Sequence, residues 1–243
     1  MKRIAVLGDV HDHRERLDLS LDLLPESVEL AILVGDIGID PPWSPEGRAG
    51  RREAHDSSVR AMIARVRERL GARVVFVPGN HDLPDAADTA GDNADGLRLA
   101  IDGLRISGLG GAGPGRFGFP YEWDEPEADA RLAGVLAGTD ACDVLVSHTP
   151  PADTSLDRTL HGLHVGSVAV ARWIERARPR LFLCGHIHEA WGVERLHGVP
   201  CVNAGAMGQP FGQPIAWLVD WDGGPRRIRS FRLEHGTRTS RLW

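Results

Sequence analysis

Through most of its length the chain repeats one pattern. A short apolar run stops at glycine, proline or serine, and a side chain able to bind a cation follows. The run IAVL at 4–7 leads into Gly8-Asp9-Val10-His11, and AILV at 31–34 into Gly35-Asp36. Next, VVFV at 74–77 leads into Pro78-Gly79-Asn80-His81-Asp82, VLV at 144–146 into Ser147-His148, and LFLC at 181–184 into Gly185-His186-Ile187-His188. Runs this short, apolar throughout and bounded by turn formers, predict central strands buried on both faces. Between them lie stretches with helical spacing. Leu17, Leu21 and Leu24 share one face before Pro25, and 59–70 stops at Gly71, while 126–136 and 166–177 complete the set. The segments 97–101 and 104–108 predict a hairpin about Asp102-Gly103. Beyond residue 189 the pattern changes to antiparallel strands at 190–196, 199–203, 215–221 and 226–233, with Asp222-Gly223 as a hairpin turn.

Two segments break the alternation. Residues 41–58, rich in proline, glycine, arginine and serine, are far longer than an ordinary strand-to-helix connection and predict a mobile flap. The glycine-rich stretch 110–125 has neither a GK[ST] ending nor a GxGxxG opening a helix, so it is not a nucleotide loop. Its Arg116, Phe117, Phe119, Tyr121 and Trp123 either form a rim that grips substrate or pin the loop to the body.

The residues at the strand exits carry the chemistry. In an extended backbone, positions two apart point the same way, so His186 and His188 face one direction. Paired histidines at an exit indicate a metal site when other exits supply carboxylates and further histidines, and four exits do so here. In order, the blocks GDVH, GD, GNHD, SHTPP and GHIH resemble the calcineurin-like metallophosphoesterases, two-metal hydrolases of phosphate esters. The likeness spans roughly residues 4–205, and the segment from Leu156-Asp157 to His164-Val-Gly-Ser167 is similar to small stand-alone bacterial and archaeal members.

The resemblance implies an α/β fold, a four-layer α-β-β-α sandwich of two mixed sheets flanked by helices. It also implies two divalent ions, with Asp9, His11 and His188 binding one, Asn80, His148 and His186 the other, and Asp36 bridging them. Imidazole and carboxylate without thiolate favour manganese, or iron, zinc, nickel or cobalt. A hydroxide between the ions would attack phosphorus, and His81, not a ligand, would protonate the departing oxygen. The aspartate that often orients this histidine is replaced here by Ile39, so Asp40 or Asp82 has to serve. Asp12, where the family usually has glycine, reads as the N-cap of the helix from His13 onward, the alternative being an extra carboxylate that disfavours an anionic substrate. His13, His55, His161, His197 and His235 read as surface residues or supports. His164 is a candidate substrate contact, and Asn203 a candidate support for a ligand.

Composition narrows the setting. At 243 residues with 42% hydrophobic content, one domain over 1–243 is expected. The net charge of −6 argues against nonspecific coating of nucleic acid, although 27 of the 28 basic residues are arginine. Three scattered cysteines without a CxxC predict a reducing cytoplasm, and the chain enters a core strand directly without an apolar span, so no membrane partner is expected. The expected substrate is a phosphodiester, a cyclic nucleotide or nucleic acid. A nuclease would need a groove built from Arg48, Arg51, Arg52 and Arg116. A phosphomonoesterase and a catalytically silent interaction scaffold of the same fold, like the retromer subunit, are the alternatives. Retention of every ligand position and of His81 weighs against the scaffold.

Overall fold

The first apolar run forms β1 (Lys2–Leu7), which sits inside a seven-stranded sheet. Beside it on one side lie β2 (Leu30–Leu33), β3 (Arg73–Phe76) and β4 (Asp92–Asn93), all parallel. The strands of the second sheet come next in the chain. They are β5 (Arg98–Ile101), β6 (Leu104–Leu109), β7 (Val144–Ser147), β8 (Leu181–Cys184), β9 (Gly192–Leu196) and β10 (Val199–Asn203), in the spatial order β5-β6-β7-β8-β10-β9. The chain then returns to the first sheet through β11 (Ile215–Trp221), β12 (Pro225–Glu234) and β13 (Thr237–Leu242), antiparallel on the far side of β1. The structure, a computed structural model, describes residues 1–25, 27–40, 45–85, 91–115, 117–136 and 142–243, with the backbone alone for 45–51.

Period-two alternation builds four layers. Ala5, Leu7, Ala31, Leu33, Val74 and Phe76 face α1 (Arg14–Asp22) and α2 (Pro45–Leu70), where Leu17, Leu21, Val59, Met62 and Val66 are buried. Ile4, Val6, Ile32 and Val75, one residue out of phase, face Ile106, Val144, Leu181 and Leu183 of the second sheet. Phe182 and Cys184 turn outward onto α3 (Glu125–Leu136) and α4 (Val168–Ala177). This is the four-layer α-β-β-α sandwich of two mixed sheets.

The structure departs from the sequence reading in four places. Residues 41–44 lie outside the described residues, but from Pro45 the expected flap is helix, continuous with the stretch expected to begin only at 59. Proline is compatible with a first helical turn, and His55, Ser58, Val59, Met62 and Val66 make a buried stripe that anchors the helix to the sheet. β4 and β13 were not expected. β4 is two residues long, and β13 is largely exposed and polar, so neither carries an apolar signal. In the tail, β10 pairs with β9 antiparallel but with β8 parallel. Asp12 does not cap α1. His13 occupies the cap position without a side-chain bond, and the Asp12 carboxylate pairs with Arg14.

At Asp102-Gly103 both residues have positive φ, 49° and 80°, as the hairpin requires. Among the described residues no helix is long and apolar enough to cross a membrane.

Leu183 is fully buried between the two sheets. Leu183→Ala should cost about 2–5 kcal/mol through lost burial and an unfilled cavity, read as a lowered midpoint in denaturant unfolding. A midpoint equal to that of the parent would contradict this packing.

Candidate metal centre

Parallel strands of both sheets end on the same edge, and their exit turns meet there. The turns are tight: Asp9, His11, Asp36 and His186 have φ of 46°, 48°, 49° and 68°, left-handed values that are uncommon for residues other than glycine. Backbone bonds hold them in that shape. Asp9 donates its N–H to the Gly35 carbonyl at 3.1 Å and His11 to that of Asp36 at 2.9 Å, while Gly185 donates to His148 at 3.1 Å. The carboxylates also accept from backbone, Asp36 from His81 N–H at 2.9 Å and Asp9 from His186 N–H at 3.1 and 3.2 Å. A Cβ at Gly79 would collide with the Asp36 carboxylate, and one at Gly185 with that of Asp9, so glycine lets neighbouring turns close onto them.

The result is a cluster of carboxylates and imidazoles. Asp36 Oδ2 lies 3.6 Å from His11 Nε2 and 3.4 Å from His148 Nε2, and Asp9 Oδ1 lies 3.2 Å from His188 Nε2. Asn80 Oδ1 lies 3.1 Å from His148 Nε2, and the His148 and His186 ring centres are 5.0 Å apart. Asp9, Asp36, Asn80 and His148 are buried, and His11, His186 and His188 partly so. All seven candidate ligands are therefore brought together.

Their proton positions reveal what the cluster needs. His148 Nδ1 is 2.7 Å from the Val34 carbonyl and His188 Nδ1 is 2.8 Å from that of Pro210. A carbonyl only accepts, so Nδ1 carries the proton on both rings. Each Nε2 lone pair then points at a carboxylate oxygen, an arrangement that is repulsive unless a proton or a cation lies between. His11 Nε2 is buried without a hydrogen-bond partner beside the same Asp36 oxygen. The donors are nitrogen and oxygen, since Cys142, Cys184 and Cys201 are buried in the core between the second sheet and its helices, so the cluster fits a divalent ion of borderline character.

Without a cation, protons take its place. Burial would depress the His11 and His148 pKa values, but Asp40, Asp36 and Asp9 around the first and Asp36 and Asp9 around the second hold both up at about 9. His188 is raised in the same way by Asp9 against its burial. His186, buried and next to His148, is driven down to about 3. Burial raises Asp9 and Asp36, but the imidazoles outweigh it and keep both below the ordinary carboxylate value.

The other expected residues separate clearly. His81 Nδ1 lies 3.2 Å from Asp40 Oδ1, and the same oxygen is 3.0 Å from His11 Nδ1. Asp82, the other candidate to orient His81, is buried and turned away, accepting the N–H groups of Ile37, Gly38 and Gly79. His55 is buried rather than on the surface. It bonds the Ile39 carbonyl through Nδ1 and accepts the Leu83 N–H at Nε2, clamping the turn that carries Asp40 to the one that carries His81. His161, His197 and His235 are exposed, and His13 partly so. Asn203 donates to the Ile187 carbonyl, between the two histidines of the last block, and accepts the Gly205 N–H.

In the loop after β6, Trp123 is fully buried and bonds the Gly110 carbonyl, while Tyr121 bonds Asp95, so these two are anchors. Phe119 packs 4.2 Å from the His81 ring, and Phe117 and Phe119 line the cleft beside Asn80 and His186, as does His164. Arg116 lies outside the described residues. Sequence reasoning missed Asp157, which binds His164 Nδ1 at 2.7 Å, and the Pro210 carbonyl behind His188. Asp157 stands in a segment already marked by its pattern, whereas a backbone carbonyl has no sequence signal.

The model of the calcineurin-like phosphoesterase family matches residues 2–190. The chain belongs to that family. Members of the family typically bind divalent metal ions, and the candidate ligand cluster described above lies within the matched residues. The chain is 31% identical over 137 residues to the uncharacterized protein MJ1162 of Methanocaldococcus jannaschii, a match over 54% of this chain and 62% of that protein's length. In fold it is similar to a crystal structure at a TM-score of 0.78 and 16% identity, covering 96% of this chain and 99% of the other. It is also similar to the crystal structure of TT1561 of Thermus thermophilus, at 0.68 and 18%, covering 96% and 99%.

The raised histidines set a pH dependence for metal-free protein. A pKa higher in the folded than in the unfolded chain adds stability that is complete below about 6.5 and is lost as pH rises through about 9. The melting temperature of chelator-treated protein should therefore fall between pH 6.5 and 9. The gain on adding Mn2+ should grow over the same range, because the ion competes with those protons. A metal-free melting temperature that rises over this interval would contradict the clustered carboxylates and imidazoles.

Proposed function

We propose that the protein is a phosphoesterase using two divalent transition-metal ions, manganese foremost, that prefers a phosphodiester, a cyclic nucleotide or nucleotide-derived ester, to a monoester. The observation that carries this reading is the approach of both His11 Nε2, at 3.6 Å, and His148 Nε2, at 3.4 Å, to one oxygen of Asp36. Asp9, His11 and His188 are the proposed ligands of one ion and Asn80, His148 and His186 those of the other. Asp36 would be the residue both could share, because two neighbouring cations need an anionic ligand between them and a carboxylate can serve as one. When bound, the ions supply a water ionised near neutral pH and positive charge for the phosphoryl oxygens.

The chain's own groups supply positioning and the proton. His81 hangs on Asp40 through Nδ1, so the proton at Nε2 is the one it can give to the departing oxygen. Asp40 also holds His11, which ties the orientation of the acid to that of a ligand. Phe119 covers part of the His81 ring.

The cleft of about 560 Å³ beside Asn80 and His186 supports the diester preference, because it offers room for a second organic group that a monoester lacks. For a nuclease groove, Arg52 is already engaged by Asp85 and Asp56, and Arg48, Arg51 and Arg116 have no described side chains. The three cysteines are free and buried, which supports a reducing compartment such as the cytoplasm.

Chelator-treated protein should be inactive, and Mn2+ should restore faster hydrolysis of bis(4-nitrophenyl) phosphate than of 4-nitrophenyl phosphate. Full activity in chelator would end the metal reading, and a faster monoester reaction would end the diester preference. Asp36→Asn should lose both activity and the second metal, and elemental analysis that still finds two ions per chain would remove Asp36 as the shared ligand.

His81→Ala should keep its metals yet lose on the order of 10²- to 10⁴-fold in rate on esters of poor leaving groups, and clearly less on nitrophenyl esters. Equal losses on both ester types would remove the proton-donor role.

A further inference from the structure

The cleft holds a second carboxylate–imidazole pair that the mechanism above leaves unused. Asp157 lies in a single 3-10 turn (Ser155–Asp157) and is fully buried. Its oxygens accept the N–H groups of Asp153 at 3.2 Å, Thr154 at 3.0 Å and Gly166 at 3.0 Å, and His164 Nδ1 at 2.7 Å. A buried carboxylate is costly unless hydrogen bonds satisfy it, and here they do so while fixing the His164 ring. The loop bearing His164 is also tied to the last histidine block, because Leu160 donates its N–H to Glu189. With Nδ1 taken, His164 has Nε2 left, on a side chain that is 42% exposed and lines the cleft.

The rest of the cleft wall is mostly apolar. Pro114, Phe117, Phe119 and Val165 line it, and Phe117 is 76% exposed. An aromatic ring left this far in water is stabilised by a group that covers it. Glu122, the one carboxylate among the described residues of the lining, accepts the N–H groups of Phe117, Gly118 and Phe119. The cleft abuts Asn80 and His186, and His81 is not part of its wall. Phe119 of that wall packs 4.2 Å from the His81 ring.

We infer that this cleft receives the organic group a phosphodiester retains after cleavage, that this group is a planar ring such as a nucleobase, stacked on Phe117, and that His164 positions it through Nε2. The inference rests on the phosphodiesterase reading and adds which part of the substrate is selected and by which residues. His164 is a positioning residue held by Asp157, not a donor to the departing oxygen.

Two esters with one leaving group test it: thymidine 5′-(4-nitrophenyl phosphate) and methyl 4-nitrophenyl phosphate, on Mn2+-loaded protein. The parent should prefer the thymidine ester on the order of ten-fold in kcat/KM. His164→Ala and Phe117→Ala should each remove most of that preference, raising KM for the thymidine ester several-fold more than KM for the methyl ester. A parent without preference, or variants that slow both esters equally while melting like the parent, would overturn the inference.

Calorimetry with thymidine 5′-monophosphate separates the two readings. A parent that cleaves neither ester but binds the nucleotide, and loses binding in His164→Ala, rejects the phosphodiesterase and keeps the cleft. Cleavage of both esters without preference rejects the cleft and keeps the phosphodiesterase. Neither cleavage nor binding rejects both.

Discussion

Buried carboxylate packed against buried imidazole is the interaction on which this site depends. Asp9 and Asp36 are almost wholly out of water, and each would cost several kcal/mol as a lone charge. The imidazoles of His11, His148 and His188 stand within 3.2–3.6 Å of their oxygens and offset that cost, either by holding protons or by sharing a cation. The backbone makes the second choice the productive one. Because Val34 and Pro210 fix the Nδ1 protons of His148 and His188, each Nε2 is already turned toward the place where a positive charge is needed.

Such crowding needs a rigid frame. The strands that deliver the candidate ligands are buried on both faces, between helices on one side and the other sheet on the other. Their exit turns carry left-handed backbone at four candidate ligands, a cost of order 1–3 kcal/mol each that persists because the backbone bonds between turns leave no alternative. The glycines at 79 and 185 complete the geometry by leaving the Asp36 and Asp9 carboxylates room to approach.

Outside the ligands, buried polar residues hold one turn against the next. Asp82 gathers three N–H groups from the turns after β2 and β3, and His55 bridges the same two turns from α2. That clamp sets Asp40 where it can meet both His11 and His81. The long loop after β6 divides its aromatic residues in a similar way. Trp123 and Tyr121 secure it, which leaves Phe117 and Phe119 to form the wall of the cleft.

The positions of most strands and helices and of all seven candidate ligands were legible in the sequence. Apolar runs ending in glycine, proline or serine report buried strands and their exits, and the ligand residues stand directly after them. The four layers follow from the same runs read two residues at a time. Long-range contacts decided the rest. Polar α2 is held to the sheet by a buried stripe from His55 to Val66, a packing its local composition does not reveal. β13 exists because β12 offers an edge, not because of its own exposed, polar residues. Whether Asp40 or Asp82 meets His81 depends on how two turns fold against each other. That His164 is held by Asp157 and joins Phe117 in one cleft depends on loops from different strands meeting at one edge, an arrangement no local pattern encodes.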